Sequence, residues 1–214
     1  MKKHIFLLFS LSFMLTVFLT SCKKETTDSI SKVTVYPKFT MTGNQYISIV
    51  KGEAYTEPGV TAKEGEADLE VTPNGTVDVN TVGVYDIVYT AVNKDGFEGS
   101  VTRTIAVLPA AEGPGVTIAG SYANLGTFNY VATIDKLAPG FYRADNIWGG
   151  GSAAIIPSYI ITVNGKDLIL PENHISDYGG VVGTGTIDDQ GNLTYIVTLI
   201  DIGIENSTRK WKRQ

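Results

Sequence analysis

The stretch Gly83-Val84-Tyr85-Asp86-Ile87-Val88-Tyr89-Thr90-Ala91-Val92-Asn93-Lys94-Asp95-Gly96 decides the fold. In an extended chain Tyr85, Ile87, Tyr89 and Ala91 fall on one face, the period-two pattern of a half-buried strand. Asn93 to Gly96 then supplies the residue types of a hairpin turn. Tyr85 follows a glycine at the strand entrance, the place of the tyrosine in a tyrosine corner, with its ring in the core and its hydroxyl on nearby backbone. Working outward, the alternation continues from Val33 to Val107 and predicts strands at 33–36, 46–50, 60–62, 69–72, 76–79, 84–91 and 99–107. No segment carries a sustained 3.6-residue stripe. Short strands punctuated by turns predict a two-sheet antiparallel sandwich of the immunoglobulin type over residues 33–107.

Leu108-Pro109-Ala110-Ala111-Glu112-Gly113-Pro114-Gly115 reads as a linker, because its prolines withhold backbone donors and its glycines add freedom. The character then changes: 15 of the 23 glycines and both tryptophans lie in residues 113–214. Strands are predicted at 127–134, 140–144, 155–163, 167–170, 181–187, 193–200 and 208–211. Asn164-Gly165 and Asp188-Asp189-Gln190-Gly191-Asn192 mark hairpins between them. Residues 116–214 are therefore a second all-β module, an antiparallel sandwich or open barrel. Its last strand, around Arg209-Lys210-Trp211-Lys212-Arg213, is expected at a sheet edge, where lysines discourage pairing with other chains.

Residues 1–21 differ from everything that follows. A basic head, Lys2-Lys3-His4, precedes an apolar run from Ile5 to Leu19, too short to span a bilayer comfortably and shaped like a signal peptide. Leu19-Thr20-Ser21-Cys22 resembles the bacterial lipobox, which implies acylation of the Cys22 thiol and cleavage before it. Several acyl chains, at about 0.8 kcal/mol per buried CH₂, anchor a protein without a spanning helix. Residues 22–32 are polar and aperiodic, a tether. The charged start of this tether resembles the export signals of Bacteroidetes surface lipoproteins, and Asp28-Ser29-Ile30 resembles their O-glycosylation motif. Removing the leader leaves a net charge of −7, so the expected membrane contact is through lipid on Cys22, with no attraction to nucleic acid. A single cysteine excludes disulfide frameworks, and with two histidines it excludes Cys/His zinc sites; neither a metal nor a cofactor is expected.

Gly52 to Ala62, Asn80 to Tyr85, Tyr89 to Gly96 and Thr102 to Val107 together resemble the bacterial Ig-like domain repeated in certain pesticidal crystal proteins and common in Bacteroidetes lipoproteins. The resemblance covers roughly residues 35–107 and implies a spacer or recognition unit without catalytic residues. Where that family usually carries aspartate after the tyrosine-rich strand, this chain has Asn93. Gly120-Ser121-Tyr122, Gly140-Phe141-Tyr142, Gly183 to Tyr195 and Arg209-Lys210-Trp211 resemble the module that accompanies this domain in small Bacteroidetes lipoproteins. Such lipoproteins resemble outer-surface components of glycan-acquisition systems.

Phe141 to Ser152 is the leading site candidate. Trp148 and Tyr142 offer apolar faces for sugar C–H groups, and Asp145, Asn146 and Arg143 offer planar polar partners for hydroxyls. Gly149-Gly150-Gly151 is expected to keep the following chain mobile and open, and Tyr178, before Gly179-Gly180, to line the same rim. The competing reading makes Trp148 a cap on the core. His174, with Glu172, Ser176 and Asp177 nearby, lacks a nucleophile elbow, so a hydrolase is the least favoured reading. Asp188 and Asp189 lack the 12-residue calcium-loop pattern and read as turn chemistry. The expectation is a non-enzymatic lipoprotein of the outer membrane, facing the cell exterior, that binds a polysaccharide or oligosaccharide as an accessory of glycan acquisition. The alternative is an interaction protein docking to an outer-membrane transport complex.

Overall fold

A computed structural model of the chain describes residues 33–127 and 130–214. The leader, Cys22 and the tether to residue 32 lie outside the described residues. The first half forms β1 (Lys38–Met41), β2 (Tyr46–Val50), β3 (Val60–Glu64), β4 (Ala67–Leu69), β5 (Thr72–Asn74), β6 (Gly83–Val92) and β7 (Glu98–Leu108). Two sheets result, β1-β3-β4 and β2-β7-β6-β5, and between them lie Ile87, Tyr89 and Ile105. The β6–β7 hairpin is in register from Gly83 opposite Val107 to Val92 opposite Glu98. This is the sandwich that the alternation predicts.

Three local differences have physical causes. The strand expected at 33–36 sits instead at β1. The Val35 carbonyl accepts from Asn93 Nδ2 at 2.8 Å, and Pro37 has no N–H for a ladder. Asn93 Oδ1 meanwhile accepts from the N–H groups of Asp95 and Phe97, so the carboxamide both caps the turn and ties down the chain start. An aspartate could not supply the second bond. Residues 76–79 form no strand; beside them, the Val79 carbonyl accepts from Gly52 N at 2.8 Å. Finally, β2 runs parallel to β7, because the short 42–45 connection carries the chain from one sheet to the other instead of folding it back.

The Thr56-Glu57-Pro58-Gly59 segment has a structural use. Arg103 is fully buried, and its guanidinium donates to Glu57 Oε1 at 3.0 Å, to the carbonyls of Thr42 (2.8 Å) and Gly59 (3.2 Å), and to that of Asn44. A buried guanidinium is tolerable only when its donors are met in this way. Burial alone would raise the Glu57 carboxyl; bonds from Tyr55 and the Gly59 N–H, with the nearby Tyr89 hydroxyl and the Arg103 charge, hold it below the ordinary range. Tyr85 donates to the Thr81 carbonyl at 2.8 Å, completing the tyrosine corner with its ring half-buried.

The second half forms β8 (Gly120–Asn124), β9 (Val131–Ala138), β10 (Phe141–Ala144), β11 (Ser158–Ile161), β12 (Asp167–Ser176), β13 (Gly179–Ile187), β14 (Leu193–Leu199) and β15 (Ile204–Arg213). Each pairs antiparallel with the next, and β15 pairs with β8, closing an eight-stranded barrel. The expected open barrel or sandwich is thus a closed one, and β15 is not an edge strand. The strand that closes it, β8, has no counterpart among the predicted segments, since Gly120-Ser121-Tyr122-Ala123-Asn124 is too short to show alternation. The lumen is packed with Tyr122, Tyr142, Leu170, Tyr195, Val197 and Trp211. Glycines on β13 make room: a Cβ on Gly185 would come within 2.9 Å of the Tyr195 ring. Tyr122 repeats the tyrosine corner, donating to the Ile118 carbonyl at 2.7 Å.

The segment expected as a free linker is pinned at both ends. Leu108 is the last residue of β7 and is buried with Ala106 against Phe141, Tyr159 and Ile161 on the outer wall of the barrel. Glu112 accepts from Gly140 N, Tyr142 Oη and Lys136 Nζ at 2.7–2.9 Å. Residues 35–214 accordingly form one compact unit. Among the described residues no helix is long and apolar enough to cross a membrane.

Candidate functional site

In a barrel of consecutive antiparallel strands the connections alternate between its two ends. The β8–β9, β10–β11, β12–β13 and β14–β15 connections therefore share one end. Trp148 belongs to the second of these and Tyr178 to the third, and both are half-buried and packed on the lumen core. Topology thus brings to one mouth two aromatics that stand 30 residues apart in the chain.

The other sequence candidates divide by strand alternation. Phe141 faces out toward the sandwich, whereas Tyr142 faces in, fully buried, with its hydroxyl committed to Glu112 Oε1 at 2.8 Å. Burial and the adjacent carboxylate push that phenol above its usual range. Tyr142 therefore supports the barrel and offers no face at the mouth. Arg143 is exposed on the outer wall, opposite in direction to Tyr142. Asp145 is exposed too, its Oδ1 accepting from Thr133 N at 2.9 Å. Asn146 is buried: its Oδ1 accepts from the N–H groups of Trp148 (2.9 Å), Gly149 (3.2 Å) and Ile156 (3.3 Å), which folds the connection over the mouth. Its Nδ2 is buried and has no partner.

The glycines of this connection allow close approach, where mobility was expected. Gly149 has φ of +77°, and a Cβ there would lie 2.3 Å from Asn124 Nδ2, so only glycine lets the connection cross beside β8. Trp148 is carried with it, and the Arg209 guanidinium lies over the indole ring, 3.5 Å from its centroid. Such stacking contributes about 0.5–2 kcal/mol according to how far it is desolvated. Arg209 was not among the sequence candidates. The signal was present: Arg209 and Trp211 share a face of β15, with Thr208, Lys210 and Lys212 outward, so a buried Trp211 implies an inward Arg209.

Beside this pair, a pocket of about 230 Å³ opens between the β8–β9 turn and β15, lined by Asn124, Leu125, Gly126, Thr208, Arg209 and Lys210. Its charged residues are both cationic. Arg209 Nε is buried without a partner, and burial lowers the guanidinium's proton affinity. Across the barrel wall from Arg209, Tyr195 is its β14 partner in register, buried, with an unpartnered hydroxyl.

Leading into the β12–β13 connection, His174 is exposed and 3.5 Å from Glu172 Oε1, and the Ser176 hydroxyl accepts from Tyr178 N. Asp188 accepts from the Gln190 and Asn192 N–H groups and from Asn192 Nδ2, all within 3.0 Å, which is turn-capping chemistry. Asp189 pairs with Lys166. Among the described residues no group of three His, Cys, Asp or Glu side chains is placed to hold a metal.

Residues 39–107 match the bacterial surface protein Ig-like domain family. No curated protein sequence matches the chain. Among solved structures, it is similar to a lipoprotein from Bacteroides thetaiotaomicron, at 21% identity and a TM-score of 0.40, over 84% of this chain and 100% of that one. It is also similar to a Clostridium perfringens ZmpB structure of CBM51-2 in complex with GlcNAc and INT domains, at 16% identity and a TM-score of 0.31, over 83% of this chain and 47% of that one. The Ig-like domain ends at Val107, one residue before Leu108 enters the core shared with the barrel.

Proposed function

We propose that this chain is a non-enzymatic lipoprotein of the bacterial outer membrane, anchored through Cys22 and facing outward, that binds carbohydrate as an accessory of glycan acquisition. The Ig-like domain serves as a rigid stand and the barrel as the binding body. The observation that carries the reading is the mouth: Trp148 and Tyr178, both half-buried, on adjacent connections at one barrel end. Aromatics held by packing, with polar side chains nearby, are the usual means of holding a sugar. The Ig-like match of residues 39–107 supports the surface address. Affinity gel electrophoresis of the chain against a panel of polysaccharides tests it. Retention on at least one, abolished by Trp148→Ala in a variant that still melts cooperatively, is the expected outcome; no retention on any polysaccharide overturns it.

A second reading, docking to an outer-membrane transport complex, is favoured by one feature. Ile200 and Ile202 are exposed together on the β14–β15 turn, and apolar side chains grouped at a tip suit protein contact. Loss of co-purifying partners on replacing both with serine, with glycan retention absent, would select this reading.

A further inference from the structure

The barrel mouth holds a partly buried cation for which the described residues supply no anion. Arg209 faces the lumen from β15, stacks on Trp148 at 3.5 Å, and has a buried, unpartnered Nε. Among the described residues no carboxylate pairs with it. The fully buried guanidinium of the sandwich, Arg103, meets a carboxylate and three carbonyls. A desolvated charge is normally paired, because leaving it unpaired costs several kcal/mol. Elsewhere in the barrel, Asn146 Nδ2, on the side chain that positions Trp148, and the hydroxyl of Tyr195, the cross-strand partner of Arg209, are also buried without a partner. Both side chains are about 1% exposed. Lys210 and Asn124 line the pocket that opens onto Arg209. The pocket's only charged lining residues are cations, and negative charge is what it lacks.

We propose that the pocket bounded by Arg209, Asn124 and Lys210 receives the carboxylate of an acidic saccharide, a uronic-acid type of residue, with the guanidinium as its anchor beneath Trp148. This rests on the carbohydrate reading of the mouth and narrows it from sugars in general to acidic ones. A planar guanidinium matches a carboxylate with two parallel bonds, which a neutral hydroxyl cannot reproduce. Stacking on Trp148 fixes the plane of that fork before the ligand arrives, so little ordering is left to occur on binding. The volume of about 230 Å³ lies below the roughly 300–1,000 Å³ of drug-sized clefts and suits one sugar residue at a time, a chain end or a single branch.

Both tryptophans flank the anchor, Trp148 in contact with it and Trp211 two residues along β15, so indole fluorescence reports occupancy directly. The full chain is titrated with glucuronate and with glucose, and run in affinity gels containing polygalacturonate, fully methyl-esterified polygalacturonate, or dextran. The expected result is a fluorescence change with glucuronate and not with glucose, and retention by polygalacturonate that weakens at 0.5 M salt and is lost on esterification. Arg209→Gln should weaken binding about tenfold or more while Arg209→Lys retains part of it. Inorganic phosphate and sulfate form a further arm: if either displaces glucuronate at equal concentration, the pocket is a general anion site and the saccharide assignment fails. Equal retention on acidic and neutral polymers, sensitive to Trp148→Ala, overturns the acidic preference and leaves the carbohydrate reading standing. No response to any glycan overturns both. The wild-type comparison of acid with ester decides the matter even if the Arg209 variants do not fold.

Discussion

The Ig-like sandwich and the barrel each hold an inward-facing arginine, and they treat it differently. Arg103, at the sandwich core, has its donors met by Glu57 and three carbonyls. Arg209, in the barrel, lies against an indole face with Nε unpartnered and opens onto a pocket. The first arrangement closes a structure, because the charge is neutralised by the chain itself. The second leaves Nε without an acceptor from the chain's described residues. The sandwich has a small core, completed by a polar lock, whereas the barrel has a large aromatic and aliphatic lumen and can carry an unsatisfied cation at its mouth. The proposed division of labour, a stand and a binding body, rests on that contrast.

The sharpest way to break the comparison is to remove each arginine in turn. Arg103→Ala leaves Glu57 without its cation and removes a donor from each of three carbonyls, and should cost about 3–5 kcal/mol in urea unfolding. Arg209→Met orphans no partner and should stay within about 1 kcal/mol of the parent. Equal losses would mean that Arg209 is a structural lock as well. Next in size is the seam: Leu108→Ala should cost about 2–5 kcal/mol. Both tryptophans are in the barrel, so their fluorescence follows barrel unfolding while circular dichroism follows both domains. The two midpoints should coincide in the parent and separate in the variant, and coincidence in both would show that the shared core does not couple them.

Acid should act on both domains through two carboxylates. Hydrogen bonds and neighbouring cations outweigh burial and hold Glu57 and Glu112 below the ordinary value of 4.5 in the folded chain. Their contribution is therefore complete above about pH 4.5 and is lost as pH falls through the lowered folded values. Urea midpoints should be flat near neutrality and decline below that point, with Glu57→Gln and Glu112→Gln each flattening part of the decline. An unchanged acid slope in both variants would contradict the assignment. The smallest effects belong to the tyrosine corners. Tyr122→Phe strands a buried carbonyl acceptor and should cost about 1–1.5 kcal/mol, whereas Tyr85→Phe, at a half-exposed site, should cost about 0.5 kcal/mol.

Much of the sandwich is legible because its information is local. Tyr85, Ile87, Tyr89 and Ala91 alternate within a single strand, and Asn93 to Gly96 turn it around. The barrel is less so. Seven of its strands could be anticipated, yet closure depends on β8, whose five residues carry no pattern of their own, meeting β15 some 90 residues later. At the mouth, Trp148 and Tyr178 could be singled out by composition. Tyr142 was misplaced among them, since alternation from Phe141 sends it inward only if Phe141 has something outside to pack on, and that is the sandwich. Arg209 escaped notice because its strand reads as a solvated edge until a partner covers it.

The order of residues by itself determines the β character of both domains and the turns at Asn93 and Asn164, because alternation and positive-φ turns are properties of neighbours in the chain. Tertiary structure alone decides that the barrel closes, that Leu108 and Glu112 bind the connecting segment to it, and that Arg209 stands beneath Trp148. Those outcomes depend on which distant surfaces exclude water from one another and which charges they leave without a partner, and neither quantity exists until the chain has folded.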